Sequence, residues 1–187
     1  GWEMPVKQFS GFHTDLEQMP TDLSFDSVKD YDDYISRLQK VPTAFSQITA
    51  NMQLGIEDGR MPPEYLLEKV LVQVQTLANQ KPEDSPFALP LKKFPKTISV
   101  ADQKRISGDL LNVIATDVLP SYQRFARFMK ADYVPKGRKD PGAWALPDGD
   151  AYYAFRIRQS TTLNKSAAEI HQSGLDEVKR DEAEMLA

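Results

Sequence analysis

The side chains best suited to chemistry in this sequence stand late in the chain. Between Leu146 and Thr162 lie Tyr152, Tyr153, Arg156, Arg158, Thr161 and Thr162. Arginine and tyrosine offer hydrogen-bond donors, charge and flat apolar area; threonine adds hydroxyls. Such a set can add contacts to a peptide, but it holds no nucleophile beside a base. Tyr153, Phe155 and Ile157 alternate with Tyr152, Ala154, Arg156 and Arg158, which predicts a strand over Ala151–Arg158. Pro147-Asp148-Gly149 then predicts a turn joining it to Trp144–Leu146 as a β-hairpin. The free edge of such a strand can pair with an extended peptide. It can equally be an edge protected by its own charges. The residues alone leave these two open.

Other candidate chemistries fall away. The histidines are His13 and His171. A zinc peptidase helix needs H-E-x-x-H, with two imidazoles one turn apart and a glutamate to activate water. His171 is followed by Gln172, Ser173, Gly174 and Leu175, so the second histidine and the acid are missing. A structural hydrogen bond is the plainer role for it, and His13, beside Phe12, offers less still. With no cysteine, thiolate metal sites, disulfides and cysteine nucleophiles are excluded. No phosphate-binding glycine loop, nucleophile elbow or calcium loop is present. The carboxylates Asp15, Glu17, Asp22, Asp26, Asp30, Asp32 and Asp33 flank a helix start and read as a solvated face. Arg124, Arg127, Lys130, Lys136, Arg138 and Lys139 interleave with Tyr122, Phe125, Phe128 and Tyr133. That patch could hold a phosphate or a carboxylate. The aromatic spacing is helical, however, so core on one face and solvated charge on the other is preferred.

The elements that must position these residues are helical. Val28, Tyr31, Ile35 and Leu38 share one helical face. After Pro42, Phe45, Ile48 and Met52 form the next stripe, with Gly59 as its stop. Pro62-Pro63 opens a third helix with a broad stripe over Leu66–Leu77. Pro82, Pro86, Pro90 and Pro95 forbid an α-helix over Lys81–Pro95. Ser99 to Asp102 is a weak capping box, and Ile106, Leu110, Val113, Ile114 and Val118 carry a helix to Pro120. The pattern resumes at once at Tyr122, giving one kinked helix or two meeting there. Ser166 and Glu169 form a full capping box before a last helix. The fold class is therefore mainly α, a helical array with one late hairpin (Trp144–Leu146 with Ala151–Arg158). Residues 1–25 read as an irregular arm and 26–187 as the helical region.

Composition sets outer bounds. The 187 residues are 41% hydrophobic and 27% charged, enough to bury a sizeable core. Net charge is −4, which argues against nucleic acid as a partner. No apolar run is long enough for a transmembrane helix. The last residues, Glu177–Ala187, form open helix without a terminating glycine, so the sequence reads as part of something longer.

Tyr152-Tyr153, Thr161-Thr162, Glu169-Ile170-His171 and Gly174-Leu175 with Glu177-Val178 resemble the bacterial family called domain of unknown function 885. Softer matches are Asp30-Tyr31, Tyr34-Ile35, Arg37-Leu38, and Val118-Leu119-Pro120 with Tyr122. The resemblance runs from about Asp26 to the end. It implies a gluzincin-like zinc metallopeptidase whose H-E-x-x-H helix lies beyond this segment. The chain would then be an N-terminal scaffold and cleft wall, inactive alone, with no catalytic and no metal-binding residue of its own. Tyr152, Tyr153, Arg156, Arg158, Thr161 and Thr162 would touch the peptide substrate, and His171 would match the family motif without ligating zinc. The zinc would belong to the full-length parent and its C-terminal half, the chief partner. The resemblance also favours the bacterial periplasm or cell envelope, as for a lipoprotein. The alternative is a self-contained helical binding module without catalysis, using the Arg124–Lys139 patch or the hairpin edge.

Overall fold

Ser27 caps an 11-residue helix of the computed structural model, which describes residues 2–186. The Asp30 carboxylate accepts from the Ser27 amide at 2.8 Å and its hydroxyl at 2.9 Å, satisfying donors that the helix start leaves free. Those bonds hold Asp30 below the usual carboxylate range. The helix, α2 (Val28–Leu38), buries Tyr31, Tyr34 and Leu38. Before it come a two-stranded antiparallel hairpin, β1 (Val6–Lys7) and β2 (Ser10–Gly11), and α1 (Phe12–Asp22). The first 25 residues are thus not an irregular arm. His13, Leu16 and Pro20 recur at three- and four-residue steps and give α1 a buried face. Pro20 sits in its last turn, where it has no N–H to give the ladder, and the helix ends two residues on.

Next come α3 (Val41–Glu57), with Pro42 in its first turn, and α4 (Glu64–Ala78), entered from Pro63. Gly59 follows α3 at φ 67°, a conformation suited to glycine. The proline-rich stretch forms short 3₁₀ turns, Pro82–Asp84 and Pro86–Lys92, burying Phe87, Ala88 and Pro90. The Tyr31 and Tyr34 hydroxyls donate to the Pro90 and Phe87 carbonyls, tying this stretch to α2.

From Val100 to Lys136 the chain is helical without a break: α5 (Val100–Val113), a π turn (Ile114–Val118), α6 (Leu119–Phe128), a second π turn (Met129–Tyr133) and a 3₁₀ turn (Val134–Lys136). Each π turn closes on the residue before a proline. The Leu119 N–H donates to the Ile114 carbonyl, and the Val134 N–H to the Met129 carbonyl. A proline inside a regular α-helix collides with the carbonyl four residues back. The wider turn accommodates Pro120, so the helix continues through it.

The chain divides into two units, Gly1–Lys139 and Asp140–Ala187. In the first, α4 and α3 pack along α6, and α2 packs along α5. The main core joins Phe45, Met52, Leu67, Val70, Leu110, Ile114, Tyr122, Phe125 and Met129. A smaller cluster gathers Tyr31, Ile98 and Ile106. Each large apolar side chain so buried is worth about 1.5–3 kcal/mol.

The second unit holds a 3₁₀ turn (Ala143–Ala145), α7 (Gly149–Thr161) and α8 (Ala167–Met185). Of its described residues only Leu146 and Gly149 are buried. A Cβ on Gly149 would lie 2.4 Å from the Ala143 carbonyl oxygen, so glycine is required where the turn meets the helix. Mainly α is therefore the observed class, but the small hairpin lies at Val6–Gly11. Trp144–Leu146 and Ala151–Arg158 form no strands. The expected turn exists, with the Gly149 N–H donating to the Leu146 carbonyl, but it launches a helix. Asp148 enters at φ 54° as the residue before that helix.

Candidate functional site

On α7 the six candidate residues spread around the helix. Tyr152 and Arg156 are four residues apart and share a face. Arg156 Nη1 donates to Gln159 Oε1 at 2.7 Å, on that same face. Arg158 and Thr162 share a second face with Phe155, and Tyr153 with Ile157 and Thr161 a third. Tyr152 and Thr161 are half-buried, whereas Tyr153, Arg156, Arg158 and Thr162 are exposed.

The backbone of α7 is occupied. The Tyr152 N–H donates to the Asp148 carbonyl at 2.9 Å and the Thr162 N–H to the Arg158 carbonyl at 2.8 Å. A helix has no free edge to lend a peptide, so strand pairing at Tyr152–Arg158 is overturned. Thr161 and Thr162 end the helix. Thr162 lies at φ 59°, unusual for a β-branched residue, and the Thr161 hydroxyl accepts from the Leu163 N–H at 3.2 Å while donating to the Ile157 carbonyl at 2.8 Å.

The capping box of α8 forms as the sequence suggests. Glu169 N–H donates to Ser166 Oγ at 3.2 Å, and Ser166 N–H donates to Glu169 Oε2 at 2.7 Å. These bonds hold Glu169 below the ordinary carboxylate range. His171, two residues on, is exposed on α8. Among the described residues no three histidine, cysteine or carboxylate side chains gather as a metal centre would need.

His13 is the buried histidine, 3% exposed. Burial lowers its affinity for a proton, with Gln73 and Asp15 pushing the other way. Its carbonyl accepts the Tyr122 hydroxyl at 2.8 Å, fastening α1 to α6. Burial pushes that phenol far above its usual range.

The basic stretch is dispersed. Arg138 Nε donates to the Met61 carbonyl at 2.9 Å, and Lys139 pairs with Glu64. Arg124 Nη2 donates to Ser121 Oγ at 2.9 Å. Tyr122, Phe125 and Tyr133 are buried and Phe128 is half-buried, as the helical spacing indicates. Of the early carboxylates Asp15, Asp22, Asp26 and Asp33 are exposed, while Glu17, Asp30 and Asp32 are half-buried and burial raises the Glu17 carboxyl. Asp32 shares Arg105 with Asp109, and Asp33 pairs with Lys29.

The architecture is that of a mainly helical protein, and comparison with known proteins gives its family. The chain belongs to the family described as bacterial protein of unknown function (DUF885), whose model matches residues 2–187. No curated protein matches the chain. Among solved structures it is similar to one described as a putative lipoprotein from Colwellia psychrerythraea, at 24% identity and TM-score 0.87. That likeness covers 95% of this chain and 31% of the other, so the chain spans about a third of its solved relative. At this identity the likeness establishes the fold. No described helix is long and apolar enough to cross a membrane.

Proposed function

We propose that this chain is the N-terminal helical scaffold of a larger zinc-dependent peptidase of the bacterial cell envelope, supplying cleft wall rather than catalysis. The observation that carries the proposal is the combination of scale and exposure in its second unit. The solved relative is about three times longer than the matched region. Meanwhile α7 and α8 leave Tyr153, Phe155, Leu175 and Val178 about half exposed. Two helices with so little buried surface do not hold themselves together in water. The remainder of the same protein is the partner that covers them. The description of the relative as a lipoprotein supports the envelope location.

In this role Tyr152, Tyr153, Arg156, Arg158, Thr161 and Thr162 contact the peptide, or position what does, through side chains alone. Tyr152 and Arg156 form the pair best placed to do so together. Zinc is bound by residues outside this chain, and no step of hydrolysis runs through the residues described above.

The test compares this chain with the whole gene product. The whole protein is expected to carry H-E-x-x-H beyond Ala187, to hold stoichiometric zinc and to cleave peptides; the chain alone is expected to do neither. Hydrogen exchange in α7 and α8 should slow in the whole protein. A gene product without the motif and without zinc would overturn the peptidase proposal. Unchanged exchange would overturn the packing role.

A further inference from the structure

Arg124 sits on the rim of a groove between α3 and α6. A cavity of about 280 Å³ there is lined by Phe45, Thr49, Gln53, Arg124, Phe125 and Phe128, among others. No carboxylate lines this part of the groove. Among the described residues Arg124 has no anionic partner, although Arg60, Arg105 and Arg180 all do. Arg124 is exposed, and its guanidinium makes one hydrogen bond, to Ser121. Ser121, 1% exposed, accepts from Nη2 while its own hydroxyl donates to the Asp117 carbonyl at 2.6 Å. A guanidinium with unused donors, beside apolar walls, suits a planar carboxylate attached to an apolar body.

A second observation gives the groove a polarity. It continues past Gln53 and Phe128 into a cavity of about 420 Å³ lined also by Ile56, Glu57, Asp132 and Lys136. That end carries two carboxylates, Glu57 and Asp132, against the single cation Lys136, whereas Arg124 is the charged residue lining the first cavity and has no carboxylate beside it there. The two π turns, Ile114–Val118 and Met129–Tyr133, flank the stretch of α6 that forms this wall. Such turns recur where a helix is shaped for a ligand.

We propose that the groove between α3 and α6 binds an apolar monocarboxylate, its carboxylate on Arg124 and its tail along Phe45, Phe125 and Phe128. The site lies wholly in the first unit and stands independently of any peptidase activity.

The probe is octanoate, titrated into this chain by calorimetry, with octan-1-ol as the uncharged control. Octanoate is expected to bind and octanol to bind at least tenfold more weakly, since a charge-assisted pair is worth a factor of ten or more. Arg124→Gln should reduce octanoate affinity at least tenfold. Ser121→Ala should weaken it less, by freeing the guanidinium. Ala50→Trp, placed on the exposed groove wall, should block binding with Arg124 intact. Circular dichroism checks that each variant folds. Absence of octanoate binding, equal binding of octanol, or full affinity in either Arg124→Gln or Ala50→Trp would each overturn the proposal.

Discussion

Replacing Tyr122 separates what its ring and its hydroxyl contribute to holding α1, α3 and α6 together. The ring is 1% exposed, with centroids 4.8 Å from Phe45 and 6.0 Å from Phe87. The hydroxyl makes one bond, to the His13 carbonyl. Tyr122→Phe keeps the ring and removes that bond. A neutral hydrogen bond is worth about 0.5–1.5 kcal/mol net. The His13 carbonyl lies in α1, where the Glu17 N–H remains available, so the loss belongs at the low end. Tyr122→Ala also removes the ring and leaves a cavity, for about 3–5 kcal/mol. At about 2–4 °C per kcal/mol for a chain of this size, Phe lowers Tm by about 1–2 °C and Ala by about 6–20 °C. Urea unfolding followed by near-ultraviolet circular dichroism measures both, with the slope expected to stay constant. If Tyr122→Phe cost as much as Tyr122→Ala, the buried ring would contribute nothing beyond the hydroxyl's bond. Aromatic packing would then not be what holds these three helices together.

Other expectations follow from single features. His13 holds its proton more weakly folded than unfolded. Its stability contribution is therefore complete above about pH 6.5, the ordinary imidazole value, and is lost as pH falls from there towards the lowered folded value. His13→Gln should flatten the urea midpoint across that window; an unchanged pH slope would refute the assignment. Gly137→Ala would bring a Cβ to 2.6 Å from Glu64 Cα and should cost about 1–3 kcal/mol. Gly108→Ala in α5 meets nothing within 4 Å and should instead stabilise by about 0.5–1 kcal/mol, read from the same unfolding curves. Ser166→Ala should speed amide exchange over the first turn of α8 and leave α5 unaffected.

Much of the first unit was legible because its signals agree. At Tyr31, Leu38, Phe45 and Met52 the helical period and burial coincide, and Pro42, Gly59 and Pro63 mark the ends where they stand. The second unit misled because its signals conflict. Over Ala151–Arg158, β-prone tyrosine, phenylalanine and isoleucine alternate, but alanine and arginine between them favour a helix. Apolar residues stand on all sides of α7, so no helical stripe appears in the sequence. A short run of this kind is ambiguous by periodicity alone. The α1 helix was hidden by Pro5, Gly11 and Pro20, although His13, Leu16 and Pro20 carry its period. The groove at Arg124 depends on Ser121 and on distant α3, a pairing that spacing along the chain does not reveal.

The π turns bear on how this sequence tolerates insertion and deletion. Each turn holds one residue more than a regular α-helix needs, and buried positions record the slip. From Ile106 to Tyr133 the apolar stripe advances through Leu110, Val113 or Ile114, Val118, Tyr122, Phe125 and Met129, more slowly than 3.6 residues per turn allows. Removing one residue from Ile114–Val118 would return the helix to ordinary winding with Tyr122 and Phe125 still facing inward. Pro120 would then meet the carbonyl that the wide turn keeps clear of it. The extra residue and the proline thus license one another. Losing the extra residue alone is costly, at about 3 kcal/mol for a proline in a regular helix, whereas both lost together leave the phase of the helix intact. Related chains that lack the one are expected to lack the other.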